Sequence, residues 1–188
     1  MQHEYSIAYK HVLLRPICID DLENMRMWRN DTDLTKHLRK LNPITPEMQL
    51  KWFENDNLDQ SCYTFAIEET KSLKRLVGSA SLYNFDGENL ECGRIVIGDK
   101  DAHGKGIGFL AITLLLWFGF TKLDVNKIDA VVHEDNLAAI KNNTKAGFIT
   151  TGKHPYEHGG NELEIVVDKG TFFSLHDFLD EITIRRAG

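Results

Sequence analysis

The chain has 188 residues, of which 42% are hydrophobic and 27% charged, with a formal net charge of −6. This composition excludes a disordered or fibrous chain and fits one globular domain, residues 1–188, with a core over about 12–168. The acidic balance argues against general nucleic-acid binding, which needs many Lys and Arg side chains to neutralise phosphates.

The first expected element is a strand over His11–Ile17, ended by Pro16. A capping-box-like start at Asp20 and Glu23 then opens a helix carrying Leu22, Met25 and Trp28. Thr45 before Pro46 places a cap and a first-turn proline ahead of a second helix, Pro46 to Asn55. Strand-like runs follow at Tyr63–Glu69, Leu76–Phe85 and Leu90–Gly98, with Asp86-Gly87 as a hairpin signal. Helix from Gly106 to Leu123, strand from Lys127 to Glu134, helix from Leu137 to Ala146 and strand from Phe148 to Lys153 give an alternating centre. A loop with Pro155 and Gly159-Gly160 leads to a last strand, Leu163–Asp168, and a short amphipathic helix is expected over Ser174–Ile182. The longest apolar run, Phe109 to Phe120, is shorter than the ~20 residues that span a bilayer, and no leader is read ahead of the first strand, so no membrane association is expected. Cys18, Cys62 and Cys92 are scattered without a CxxC pair, which fits a reducing, cytoplasmic setting.

The chemistry-bearing segment is HGKGIG, His103 to Gly108. A glycine-rich turn opening a helix gathers unpaired backbone N–H groups at the positive end of the helix dipole, where an anion can sit. Gly106, Gly108 and Ala111 satisfy G-x-G-x-x-G/A. However, DKDAH (Asp99 to His103) separates them from the strand and four strands come earlier, so a dinucleotide fold does not fit. No G-x-x-x-x-G-K-[ST] is present, which removes a triphosphate-binding loop. His154 and His158 share a His-x-x-x-His spacing that Pro155 spoils, so no metal is expected. GSAS (Gly78 to Ser81) is no nucleophile elbow, and Cys92 reads as a small buried hydrophobe.

HGKGIG resembles the [RQ]-x-x-G-x-[GA] loop that binds the coenzyme A pyrophosphate in the Gcn5-related N-acetyltransferase (GNAT) family, with His103 in place of the usual Arg or Gln. HEDNLAAIKNNTKAGF (His133 to Phe148) resembles the family's strand, Asn, and helix ending in Gly-Phe. The resemblance covers about Val12 to Asp168. It implies an α/β (α+β) acyl-CoA N-acyltransferase fold: a mixed sheet of about seven strands, splayed between the fourth and fifth, flanked by about four helices. It implies acetyl-CoA as donor, held by Ile95, Val96 and Ile97 along the strand, by His103, Gly104, Lys105, Gly106, Ile107 and Gly108 in the loop, and by Asn136 and Asn143. Asn136 also reads as a helix cap, and the two roles are compatible.

Acetyl transfer needs a neutral amine. At pH 7 a lysine-like amine of pKa ~10.4 loses its proton at a cost of roughly 4.6 kcal/mol, against about 1.4 for an α-amine near pKa 8. ECGRIVI resembles the E-x-G-Y-W-I segment of the ribosomal-protein N-terminal acetyltransferase subgroup, which makes Glu91 the expected base. An exposed strand-end carboxylate is the other reading of it. The resemblance further implies an oxyanion donor on the same strand near Ile97. The family's Tyr, seven residues after the helix-opening Asn, is Asn143 here, so an amide would serve the leaving thiolate, or else Asn143 is a solvated helix residue. MRMWRND (Met25 to Asp31) and ITPEMQLKWFE (Ile44 to Glu54) resemble acetyltransferases acting on protein N-termini and on amino sugars. Trp28 and Arg29 are thus acceptor-side candidates, Trp28 with packing as its alternative. The expected activity is direct transfer to a small-molecule or peptide amine by a monomer or homodimer. The rival expectation is a non-catalytic coenzyme A-binding sensor or assembly module.

Overall fold

The computed structural model describes residues 3–36, 42–157, 159–177 and 179–186. Among these, nine strands form one sheet: β1 (Tyr5–Tyr9), β2 (Val12–Pro16), β3 (Tyr63–Glu69), β4 (Arg75–Tyr83), β5 (Glu91–Ile97), β6 (Lys127–His133), β7 (Ile149–Pro155), β8 (Asn161–Asp168) and β9 (Thr183–Arg186). The helices are α1 (Leu22–Asn30), α2 (Pro46–Leu58), α3 (Ile107–Lys122), α4 (Leu137–Ala146) and α5 (Lys169–Leu175). Sheet order is β7-β8-β6-β5-β4-β3-β2-β1-β9.

The feature that positions the site is the junction of β5 and β6. These parallel strands pair at one position, Glu91 with Asp129, where the Asp129 N–H donates to the Leu90 carbonyl at 3.0 Å. Beyond it they part, and β6 pairs instead with β8 along its length, from Lys127–Asp168 to His133–Glu162. The cause lies on the other side of β5. Ser81 of β4 faces Gly93, whereas Ser79 faces Val96, so β5 carries one residue more than its partner and bulges. Arg94 sits in the bulge at φ 53°. A bulge bends its strand and re-aims a side chain; here it turns β5 away from β6 and sets Arg94 apart from the strand's alternation.

Beneath the sheet runs α3, buried nearly throughout, with Phe118 and Phe120 wholly inaccessible. Its unbroken apolar run reads as buried on every side because it packs on the sheet with α4 beside it. A smaller cluster of Ile17, Met25 and Ala66, packed by Trp28, Trp52 and Phe53, joins α1 and α2 to the opposite face.

The structure has nine strands rather than about seven and five helices rather than about four among the described residues. The first strand, β1, was not expected, although Tyr5, Ile7 and Tyr9 alternate into the core. It turns into β2 at Lys10, φ 54°. The expected helix over Ser174–Ile182 is corrected. Asp168 accepts from Thr171 N at 2.8 Å and starts the helix at Lys169. The chain is extended at His176, makes one 3-10 turn at Leu179–Glu181, and ends in β9 against β1. Phe172, His176, Leu179 and Ile182 are buried at near-helical spacing, so the periodicity imitates a continuous helix that the cap places elsewhere. The first-helix turn is likewise organised by Asp21 rather than Asp20: buried Asp21 accepts from Cys18 N and from Arg15.

Candidate active site

The gap between β5 and β6 is a cleft of about 450 Å³, within the range that holds small ligands. Ile95 and Ile97 line one wall, Ala130 and Val132 the other, and Asn136 and Asn143 close it from α4. Val96 points the other way into the core, as strand alternation requires. Because β5 and β6 do not pair there, the main chain on this side of Ile95–Ile97 has no ladder partner and presents an edge that an extended ligand can join.

At the mouth of the gap the chain makes a 3-10 turn, Lys100–Ala102, and then the His103–Gly108 loop. Gly104 and Gly106 both stand at φ 75°, a region that side chains with a Cβ enter at a cost. A Cβ at either position would touch nothing within 4 Å. The backbone conformation, not crowding, is therefore what requires glycine. No side chain caps α3, so its first-turn N–H groups stand at the dipole's positive end, a position that favours an anion. Gly108 lies against Asn142, whose amide nitrogen would be 3.1 Å from a Cβ there. Ile107 is buried and anchors the helix, while Lys105 is exposed.

His103 joins the loop to β5. Its Nε2 donates to the Ile97 carbonyl at 2.8 Å, tying the loop back to the end of β5. Asn136 caps α4, accepting from Ala139 N at 3.1 Å, and also lines the cleft.

A second cavity of about 400 Å³ lies on the far side of β5, roofed by α1 and α2 and floored by β3 and β4. Met48 and Trp52 supply apolar walls, and Thr64, Ser79 and Ser81 supply hydroxyls. Arg29 and Arg94 border both cavities and mark where they meet. The Arg94 guanidinium stacks 4.2 Å from the Tyr83 ring centroid. Burial, and then the charge of Arg94, hold Arg29 below the ordinary arginine range. Trp28 does not line either cavity. It packs on Gly98, where any Cβ would overlap its indole, which leaves Trp52 as the aromatic wall.

Glu91 lines neither cavity. It stands at the closed end of the splay beside a separate depression, where its carboxylate accepts from Asn84 Nδ2 at 2.7 Å. Between it and the cleft lies Tyr83, which does line the cleft and whose phenol is pushed up to about 12 by burial and then by the Glu91 carboxylate. Cys92 is inert as a nucleophile, because full burial pushes its thiol up to about 12. His154 leans toward Glu162 and Glu164, at 3.6 and 3.5 Å. His158 lies outside the described residues, among which no cluster of three metal-ligating side chains occurs. The three cysteines are free. No described helix is long and apolar enough to cross a membrane.

A sheet splayed at its middle, with a glycine turn at the mouth of the splay and a second cavity behind it, suits a group-transfer enzyme. The chain matches the Acetyltransferase (GNAT) domain over residues 11–149 and belongs to that family. It is similar to the uncharacterized N-acetyltransferase p20 of Bacillus licheniformis, with 27% identity over 143 residues, 72% of this chain and 78% of that one. A second relative is an N-acetyltransferase 9-like protein of Nematostella vectensis, 24% identical over 157 residues, 77% and 78% of the two chains. Among solved structures, spermidine N-acetyltransferase of Vibrio cholerae, in complex with CoA and spermine, superposes with a TM-score of 0.73. That match is 21% identical and covers 87% of this chain and 98% of the other, a likeness of fold.

Proposed function

We propose that this enzyme, working as one domain in the cytoplasm, moves the acetyl group of acetyl-CoA to a primary amine by direct transfer. The observation that carries the reading is the adjacency of the two cavities, which share Arg29 and Arg94 as lining residues, with the glycine turn near one of them. The N–H groups of Gly106 to Gly108 hold the pyrophosphate, and the unpaired edge of Ile95–Ile97 holds the pantetheine arm as an added strand. Acetyl-CoA supplies the acyl carbonyl and a thiol leaving group.

A main-chain N–H on β5 near Ile97 stabilises the oxyanion, because a preorganised donor in a water-poor cleft needs no reorganisation. The Asn143 amide faces the same cleft, where it donates to the departing thiolate. A thiol of pKa about 8.5 leaves readily near neutral pH, so a hydrogen bond suffices in place of a strong acid. Glu91 takes the amine's proton at one remove. Tyr83 receives it at its hydroxyl oxygen while passing its own proton to the Glu91 carboxylate, and its raised pKa keeps it neutral between turnovers.

The test is thiol release from acetyl-CoA with a panel of amino sugars, polyamines, amino acids, aminoglycosides and N-terminal peptides. Acetyl-CoA-dependent turnover with at least one amine is expected. Tight coenzyme A binding by calorimetry beside no turnover with any amine would contradict the proposal and favour the sensor or assembly reading.

A further inference from the structure

The charge of the second cavity is one-sided. Its charged lining residues are Arg29 and Arg94, and no Asp or Glu lines it among the described residues. Arg29 is half-buried, projects from the last turn of α1, and makes no ion pair with a carboxylate among the described residues. Arg94 is presented by the bulge, stacked on Tyr83, and its only hydrogen bond among the described residues is a long one, Nη1 to Cys62 Sγ at 3.7 Å. Asp56 and Asp59, the carboxylates that feel the charge of Arg94, line neither cavity, and Asp56 accepts from the Thr64 hydroxyl at 3.1 Å. Arg94 is exposed to solvent, whereas Arg29 is half-buried beside its like charge without a carboxylate partner among the described residues, and each retains donors in a fork that matches a carboxylate or phosphate.

Neither arginine stands where the coenzyme's anionic groups would be. The cradle for the pyrophosphate is beyond the C-terminal end of β5, whereas Arg94 is in the middle of the strand, where only the uncharged pantetheine arm would pass. The unmatched charge therefore belongs to the acceptor's side. A polyamine would bring further positive charge into a cavity that holds nothing to pair it, and like charges in a partly desolvated space repel strongly.

We propose that the acceptor is a small primary amine carrying an anionic group, a carboxylate or a phosphate, which pairs with Arg29 and Arg94 where the two cavities meet, so that its amine, a few bonds away, lies next to the cleft between β5 and β6. This deepens the acetyltransferase reading above and rests on it. The hydroxyl of Ser79 and the buried amide of Gln49 line the cavity for the acceptor's uncharged polar groups, while the Thr64 hydroxyl is engaged by Asp56 and Ser81. The same two cations favour the neutral form of the incoming amine, so the clamp both selects the acceptor and lowers the cost of its deprotonation.

Matched pairs of acceptors test this: phosphoethanolamine against ethanolamine, γ-aminobutyrate against butylamine, and spermidine as polycation, each followed by thiol release. The anionic member of at least one pair is expected to exceed its neutral counterpart in kcat/KM by about tenfold or more, and spermidine to be poorest. The phosphate and carboxylate arms show which anion is taken. Arg29→Gln and Arg94→Gln are expected to bring the anionic-to-neutral ratio down toward one, with coenzyme A affinity by calorimetry confirming that each variant is folded. Equal or better turnover of the neutral amines or of spermidine would overturn the clamp while leaving acetyl transfer in place. A ratio unmoved in the folded variants would do the same, and no turnover with any amine, here or in the broader panel, would overturn both.

Discussion

The two halves of the proposed site offer a ligand different things. The proposed coenzyme side offers main chain: a loop with Gly104 and Gly106 at positive φ, an uncapped helix terminus, and a strand edge freed by the splay. On the acceptor side, side chains from α1, α2, β3, β4 and β5 converge on one cavity. Backbone recognition is fixed by conformation and tolerates changes of side chain, whereas a side-chain cavity changes its ligand with each substitution. Lys105 is exposed in the loop and could vary freely, but Arg29 could not be replaced without altering what the second cavity takes.

Substitutions can separate the halves. The largest effect is expected where they share chemistry. Glu91→Gln should lower kcat by roughly 100-fold near pH 7. It should cost much less near pH 9, where more of the amine is already neutral, and leave both KM values nearly unchanged. A rate-against-pH series for both enzymes measures this, and parallel profiles would remove Glu91 and Tyr83 from the proton path. Next is Gly98→Ala. Its Cβ would overlap the Trp28 indole and push α1, which carries Arg29, off the sheet. A loss of about 2 kcal/mol of stability is expected from such overpacking, with acceptor KM rising and coenzyme affinity holding, as read by denaturant unfolding and two-substrate kinetics.

Gly106→Val should do the reverse. Forcing a β-branched residue to φ 75° costs roughly 1–2 kcal/mol, paid mainly as a weaker cradle. Calorimetry should show about tenfold weaker coenzyme A binding, with the acceptor preference intact. The smallest effect is expected from Asn136→Ala, which removes the α4 cap for about 1 kcal/mol of stability and weakens coenzyme binding a few-fold. Equal damage to both halves from Gly98→Ala or Gly106→Val would dissolve the distinction between them.

That distinction also decides what could be read in advance. HGKGIG, the Asn136 helix and the alternating centre were legible because each is local: a turn that needs glycine, a cap, an apolar run of helical length. The strand edges at both ends were less so. β9 is held by its pairing with β1, a contact between the two ends of the chain, and Asp168 moved the last helix toward the N-terminus of a pattern that looked continuous. The acceptor side was barely legible. Arg94 lies in ECGRIVI as an ordinary strand residue, and only its register against Ser79 and Ser81 reveals the bulge. Gly93 beside a charge inside an apolar strand was the available signal, since glycine there often marks a bulge. Trp28 and Trp52 could not be told apart by sequence, because their roles depend on which of them meets Gly98. Glu91 was singled out by its motif, but that it lines neither cavity, which is why Tyr83 enters the proposed proton path, follows only from the fold. Asn142, Tyr83 and Gln49 carried no sequence signal of their own.

The central claim is that donor and acceptor occupy two cavities at once and react where these meet. Steady-state velocities over a grid of acetyl-CoA and acceptor concentrations test it most directly. The account predicts double-reciprocal lines that intersect and no acetylated protein when acetyl-CoA is supplied alone. Parallel lines, together with an acetyl group found on the protein by mass spectrometry, would contradict it.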